Sequence, residues 1–472
     1  MKMSSTKRVK IGLVGFMTKP FRGPKESYFN QDARDLSKLV NDLEADLIIF
    51  EKGIYDLAAA QEAALEFRRE AVDVVLIQAS SFSGGDFIYP FLEINAHIAL
   101  WAIPEGDPTD EGGLPLNSFT AMNMYNSIIK TRTEFTREPV KWFFGRAQEK
   151  RFIEHFEALI RAIYAEINLK HSRFGLVGGV AAGFNNLIVD PNMLKSRIGA
   201  SLVEFDLRYL YNLADSISDG ALINRFYQKL INQTKSYSSN LESSYQATAR
   251  FQAAFQIFVE QNDLDAVAVS CWPDFQTERQ LAVCTLLGQL NDEGFVTACE
   301  GDVPGALGML TLNLLSQGKV TTIMDMVTID PGDDSILLWH CGPTAPSLAD
   351  ENGVEMQSLW LFDGDPHAPL GLHNNLRLKP GLATVLGFCP SFEELLVFEG
   401  NLDNKKPSYV GSSAWIRDVQ MQGKPQTCLD LVQTIMGSGY QHHYPLVHGG
   451  FERCVLDLAH LLGINIITGK SY

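Results

Sequence analysis

The sequence predicts an α/β protein: two doubly wound parallel-sheet α/β domains followed by a mostly antiparallel, β-barrel-like C-terminal domain. Three observations predict it. At 472 residues the chain is too long for one ordinary core. Apolar runs of strand length alternate with stretches of helical periodicity over the first two thirds, and beyond residue 320 helices give way to strands and turns. The boundaries that result are residues 1–170, 171–319 and 320–472.

In the first domain the expected strands are Val9–Phe16, Asp46–Glu51, Val72–Ile77, Ile98–Ile103 and Val140–Phe144, with helical patterns between them such as Asp32–Leu43 and Ala58–Glu70. Near-continuous apolar strands separated by helices define a parallel sheet covered on both faces, in a flavodoxin-like layout. The first loop, Met17 to Pro24, has no dinucleotide glycine fingerprint, so nucleotide binding has little support. A helix over Glu149–Ile167 leads to a second α/β unit that opens with Phe174-Gly175-Leu176-Val177-Gly178-Gly179. The sequence after that glycine pair departs from the common phosphate-loop patterns, which favours close packing at a turn over a phosphate cradle. Further strands follow at Leu202–Phe205 and Ala266–Ser270, and a long helix, opening in the polar stretch Ser236–Ser244, runs through Glu260. Another strand, Phe295 to Glu300, then passes through a turn into a helix over Ala306–Ser316.

In the third domain Val320 to Ile329 and Ser335 to Cys341 read as two strands joined by the turn-rich Pro331-Gly332-Asp333-Asp334. A turn centred on Gly332-Asp333 sets Asp325 opposite His340. Strands are also expected over Val354–Leu361, Leu376–Leu386, Glu394–Glu399 and Ser408–Gln420, with helices over Leu429–Met436 and Phe451–Leu462. Trp415 and Arg417 are alternate-position neighbours on one strand. They either present an aromatic wall and a cation to a polar substrate or form an exposed strand face.

Four residues in this frame are chemically out of place. Asp325 shares a strand face with Ile323, Val327 and Ile329, where an unpaired carboxylate is costly. Glu300 ends a strand at the carboxyl edge of an α/β sheet, the edge that faces the ligand crevice, and Asp302 follows it. His340 and His443 belong to a region that holds seven of the ten histidines, all at or beyond position 340. Together the four make a candidate metal site. Taken singly, each has another reading as a salt-bridge partner, a hydrogen-bonded core histidine or a helix cap. Oxygen and imidazole ligands favour manganese, magnesium, cobalt or iron over structural zinc. Cys299 and Cys341 adjoin two of these residues, but strand alternation is expected to turn them to the opposite face.

Composition bounds the partners. A net charge of −17 argues against nucleic acid and anionic membrane surfaces, and 46% hydrophobic with 20% charged residues is a globular composition. Seven dispersed cysteines point to reduced thiols. No hydrophobic signal core follows Met1, and no apolar run approaches a membrane span, so a cytoplasmic protein is expected.

The segments Cys299-Glu300-Gly301-Asp302, Met324-Asp325-Met326, Trp339-His340-Cys341-Gly342 and His442-His443-Tyr444 with Val447-His448-Gly449 resemble, in order and spacing, those of L-fucose and L-arabinose isomerases. That resemblance implies a metal-dependent aldose–ketose isomerase loading manganese, with cobalt or magnesium as alternatives. It implies Glu300, Asp325, His340 and His443 as ligands, with Glu300 and Asp325 moving a proton between C1 and C2 of an open-chain sugar and Asp302 orienting one of them. His448 matches a nearby histidine. Cys271-Trp272-Pro273 also resembles these families, and Trp272 walls the sugar pocket or is a core tryptophan. The families' assembly implies a homo-oligomer, a trimer or hexamer. The Lys19–Pro24 loop departs from the pattern, which puts fucose and arabinose in doubt. Lys19 and Arg22 there, with Arg417, are candidates to receive an anionic group at the far end of the sugar, or are solvated charges. A 6-substituted hexose such as sulfoquinovose is then a candidate substrate. Two other classes use the same residues: a non-catalytic sugar-binding sensor, and a metal-dependent aldolase or hydrolase.

Overall fold

The structure, a computed structural model, describes residues 6–131, 141–358 and 370–472. Two compact units, Lys7–Ile167 and Asn168–Tyr472, divide the chain. In the first, β1 (Val9–Phe16), β2 (Ala45–Ile49), β3 (Val74–Ala79), β4 (His97–Ala102) and β5 (Lys141–Phe144) form a parallel sheet in the order β2-β1-β3-β4-β5. Every residue of β3 is buried, as are all but one of β1, which is why both segments read as unbroken apolar runs. The flavodoxin-like layout is therefore as expected; Val140, expected at the start of β5, lies outside the described residues. The first helix starts at Lys25 rather than Asp32. Two charges buried along it break the apolar period: Lys25 donates to Phe21 O at 2.7 Å, and Asp32 accepts from Arg146 Nε at 2.9 Å. Lys19 and Arg22 are exposed on the loop after β1.

The second unit holds two larger sheets. β6 (Arg173–Val177), β7 (Ser201–Phe205), β8 (Ala266–Val269) and, after the short β9 (Leu281–Ala282), β10 (Val296–Ala298) make a parallel sheet in the order β10-β8-β6-β7. The other sheet is built from β11 (Thr321–Asp330), β12 (Ser335–His340), β13 (Glu355–Gln357), β15 (His373–Arg377), β16 (Gly381–Phe388), β17 (Glu394–Asp403), β18 (Ser412–Met421), β19 (Lys424–Pro425), β20 (His443–His448) and β21 (Asn465–Ile466); β14 (Leu370–Gly371) pairs instead with β9. Its order is β13-β15-β18-β12-β11-β20-β16-β17-β21, mostly antiparallel. β17 also pairs with β18, which curls the sheet, but β13 and β21 remain as ends of the order, so its strands do not make one closed barrel.

Three sequence expectations change here. The segment Leu376–Leu386 is two strands, because Pro380, with no N–H to donate, stands between β15 and β16. Of Val354–Leu361 only Glu355–Gln357 is strand, and residues 359–361 lie outside the described residues. The stretch around His443, read only as the approach to the last helix, forms β20 in the middle of the sheet between β11 and β16.

Helix Val303–Leu315 is buried on every side. It packs against β8 and β10 of one sheet and β11, β16 and β20 of the other, so its apolar residues face neighbours all round instead of following an amphipathic period. Its first turn lies where the two sheets meet.

Candidate metal centre

Glu300 and Asp302 sit on the turn between β10 and the buried helix. Asp302, itself fully buried, caps that helix by accepting from Gly305 N–H at 2.9 Å. Glu300 has φ +60° and Gly301 φ +71°, two successive left-handed residues. A Cβ on Gly301 would lie 2.2 Å from Gly179 O, so this turn requires glycine and stacks on the Gly178-Gly179 pair. The pair thus serves close packing, as the sequence suggested. A left-handed glutamate is strained, and here it aims a carboxylate into the junction.

On the facing sheet, β11 pairs with β20 so that Asp325 stands opposite His443. On its other flank Asp325 stands opposite Trp339, not His340. The hairpin turn is centred as predicted, with Asp330 paired to Ser335, but a bulge between Met326 and Thr328 leaves Val327 unpaired and shifts the register by one. The four expected ligands nonetheless converge. His443 Nε2 lies 3.3 Å from Glu300 Oε2 and 3.7 Å from Asp325 Oδ1, and the His340 and His443 rings stack with centroids 5.5 Å apart. Cys299, Glu300, His340 and His443 offer ligand atoms within 4.8 Å of one another, and so do Asp325, His442 and His443.

The hydrogen bonding orders these groups. His443 Nδ1–H donates to Asp302 at 2.8 Å, which turns Nε2 toward two carboxylates. Both His443 Nε2 and Asp325 Oδ1 are buried with no hydrogen-bond partner among the described residues. Carboxylates gathered round an imidazole nitrogen in this way fit a cation, a proton on His443 or a metal ion in its place. Burial alone would lower the His443 pKa, but the hydrogen bond to Asp302 and the charges of Asp302, Asp325 and Glu300 raise it to about 9. Burial would likewise raise Glu300, yet the hydrogen bond from His442 and the neighbouring imidazoles hold it below the usual carboxylate value. Asn186 Nδ2–H donates to His442 Nδ1 at 3.2 Å, so His442 presents Nε2–H to Glu300 at 3.3 Å. Burial lowers the His340 pKa. Its Nδ1 accepts Cys341 N–H at 2.8 Å, and its Nε2 lies 3.1 Å from Cys299 Sγ.

The cysteine expectation is corrected here. Cys299 lies past the end of β10 and beside left-handed Glu300, where strand alternation no longer governs direction. Its thiol borders the site. A hydrogen bond to Cys271 and full burial keep its pKa well above the ordinary thiol value, so it stays protonated. Cys341 Sγ likewise lies near the site, 3.2 Å from His340 Nδ1 and 3.6 Å from Cys284 Sγ.

Other expected residues divide. Trp272, 44% exposed, makes an edge contact with Phe184, which lies 5.4 Å from the His442 ring, so an aromatic row leads from Trp272 to the cluster. His448 does not join it: five residues beyond His443 on one strand is roughly 16 Å, and its Nε2–H donates to Lys379 O. Trp415 and Arg417 are also elsewhere. Register sets Ser412 beside His340, so Arg417 is roughly 17 Å away, paired with Asp333 at 2.8 Å and with Asp403. Trp415 is buried under Lys406 and donates to Pro407 O. Sequence reasoning gave no role to His442, Asn186 or Phe184, and turned Cys299 away from the site. The histidine doublet signalled the first; nothing local marks the others.

A parallel α/β layer that meets an antiparallel sheet at a carboxylate–imidazole centre is the arrangement expected of an aldose–ketose isomerase. Comparison with known proteins agrees with that class. The chain is 27% identical over 400 residues to a sulfoquinovose isomerase of Alkalicoccus urumqiensis, covering 84% of this chain and 86% of that one. It is 27% identical over 396 residues to the sulfoquinovose isomerase of Priestia megaterium, covering 83% and 84%, and 28% identical over 378 residues to that of a Clostridium species, covering 77% and 78%. The chain is thus a homologue of sulfoquinovose isomerases. No family model matches it.

Proposed function

We propose that this chain is a metal-dependent aldose–ketose isomerase that acts on sulfoquinovose. The observation that carries the metal is the pair of buried atoms, His443 Nε2 and Asp325 Oδ1, that have no hydrogen-bond partner among the described residues and lie beside Glu300. The substrate is carried by the relatives. Glu300, Asp325 and His443 would hold the ion, with manganese the first choice for an oxygen-rich site and cobalt or magnesium next. When bound, such an ion polarises the sugar carbonyl and stabilises negative charge on oxygen.

The chain's own residues do the rest. One of the carboxylates of Glu300 and Asp325 takes the proton from C2, the C2–H electron pair forms the C1–C2 double bond, and the C1 carbonyl oxygen becomes a hydroxyl with a proton from the other, acting as the acid. Return of the first proton to C1, with the proton on the C2 hydroxyl passing to that second carboxylate, gives the ketose and restores the pair. Asp302 holds His443 in one orientation, and the Trp272–Phe184 row lines the approach. Lys19 and Arg22 are assigned to the sulfonate, as charge-assisted donors. The same reading carries a cytoplasmic homo-oligomer, a trimer or hexamer.

The test is metal-stripped protein in deuterated water with sulfoquinovose and neutral hexoses, followed by proton NMR. Manganese-dependent conversion with deuterium at C2 of the aldose is expected. Tight manganese binding without turnover of any sugar would move the chain to the sensor class.

A further inference from the structure

His340 and His443 stack on one another, 5.5 Å apart and 27° from parallel, yet their hydrogen bonds run in opposite senses. His443 gives its Nδ1 hydrogen to Asp302 and turns Nε2, from which a metal would displace a proton, toward Glu300 and Asp325. His340 receives a hydrogen at Nδ1, from the backbone N–H of Cys341 at 2.8 Å. A backbone amide keeps its hydrogen, so Nδ1 of His340 carries the lone pair and the neutral ring's one hydrogen sits on Nε2. A nitrogen that carries hydrogen has no lone pair for a metal.

We propose that His340 is a neutral hydrogen-bond donor to the carbonyl oxygen of the sugar and is not a ligand of the metal. The inference rests on the isomerase reading and deepens it. In the structure the Nε2–H faces Cys299 Sγ at 3.1 Å, a weak acceptor that holds the ring in place and yields to an oxygen gaining charge. One ring nitrogen from each of His340 and His443, Cys299 Sγ and a Glu300 oxygen lie within 4.8 Å of one another, and His340 Nε2 is the nitrogen beside that Sγ, so a sugar oxygen seated against Glu300 and His443 is within reach of its hydrogen. As the C2 proton leaves, charge moves onto the carbonyl oxygen. A pre-aimed neutral imidazole strengthens its bond at that moment and has no proton to lose first. The hydrogen bond strengthens without breaking N–H, so the acid–base pair alone accounts for the protons moved. His442, whose Nδ1 also accepts a hydrogen, is kept off the ion by the same logic.

Pulsed electron paramagnetic resonance of the manganese-loaded wild-type protein counts directly bound nitrogens. One, from His443, is expected; two overturns the proposal. In parallel, His340→Ala is expected to lower kcat by about 10²–10³ with manganese affinity changed less than about threefold, and His340→Gln, which keeps an N–H, to recover part of kcat. Loss of manganese affinity by more than about a hundredfold in either variant overturns it independently. A wild-type protein that binds manganese through one nitrogen but isomerises no aldose removes the isomerase reading, and the donor role with it.

Discussion

The β11–β12 hairpin carries a charged cluster at each end, and the two are built on opposite rules. At the turn, Asp330 and Asp333 pair with Lys406, while Arg417 pairs with Asp333 and Asp403. The hydrogen bond from Lys406, with help from Ser335 and Arg417, holds Asp333 well below the usual carboxylate range. Each of these carboxylates has a cation. At the other end Asp325, Glu300, Asp302, His340, His442 and His443 meet with no Lys or Arg paired to them among the described residues, and two buried atoms have no partner there. A cluster that satisfies itself stabilises a turn; one that does not is arranged for something it has yet to bind.

Substitutions test that contrast, beginning with the largest effect. Glu300→Gln keeps the shape and removes the charge, and is expected to lower kcat by more than about 10³ and to weaken manganese binding, read by steady-state kinetics and calorimetry. Asp302→Asn should cost about 10–100-fold in metal affinity, because it unsettles the His443 tautomer without touching the ion; an unchanged affinity would remove Asp302 from the site.

The next effect is on pH. With His443 raised from 6.5 to about 9, metal-free protein holds its proton near neutrality, and manganese must displace it. Binding at pH 7 should release about one proton, measured from calorimetry in buffers of different ionisation enthalpy, and affinity should rise with pH up to about 9. The raised pKa also sets the sign for folding: its stabilisation of the metal-free protein is full below pH 6.5 and lost as pH rises through 9. A melting temperature flat across that window would contradict the value. The smallest effect belongs to the satisfied end. Arg417→Met should leave kcat within about twofold and lower Tm by no more than about 3 °C.

Much of this was legible in the sequence because it depends on local pattern. The runs that became β1, β8 and β11 announce themselves by apolar content, and Glu300, Asp325, His340 and His443 are conspicuous as polar residues in apolar surroundings. Illegible features depend on contacts distant in sequence. Arg417 and His448 are chemically suitable, and only strand pairing shows that each lies at the wrong end of its strand. Cys299 was misdirected because alternation was carried one residue past a strand, into a left-handed turn. β20 was missed because its Pro445 and paired histidines do not read as a strand.

The extra residue at Val327 works like a spacer in a vernier. Were Val327 taken into the ladder, the turn and the far half of the hairpin could close in the same way, yet every side chain of β12 would slide by one place past Asp325, bringing His340 across from it in place of Trp339. Whether a single exposed residue is paired or looped out therefore encodes which of two neighbouring residues meets the acid. A deletion of Val327 removes the loop and keeps Trp339 across from Asp325, so the message survives the loss of the letter that sets it.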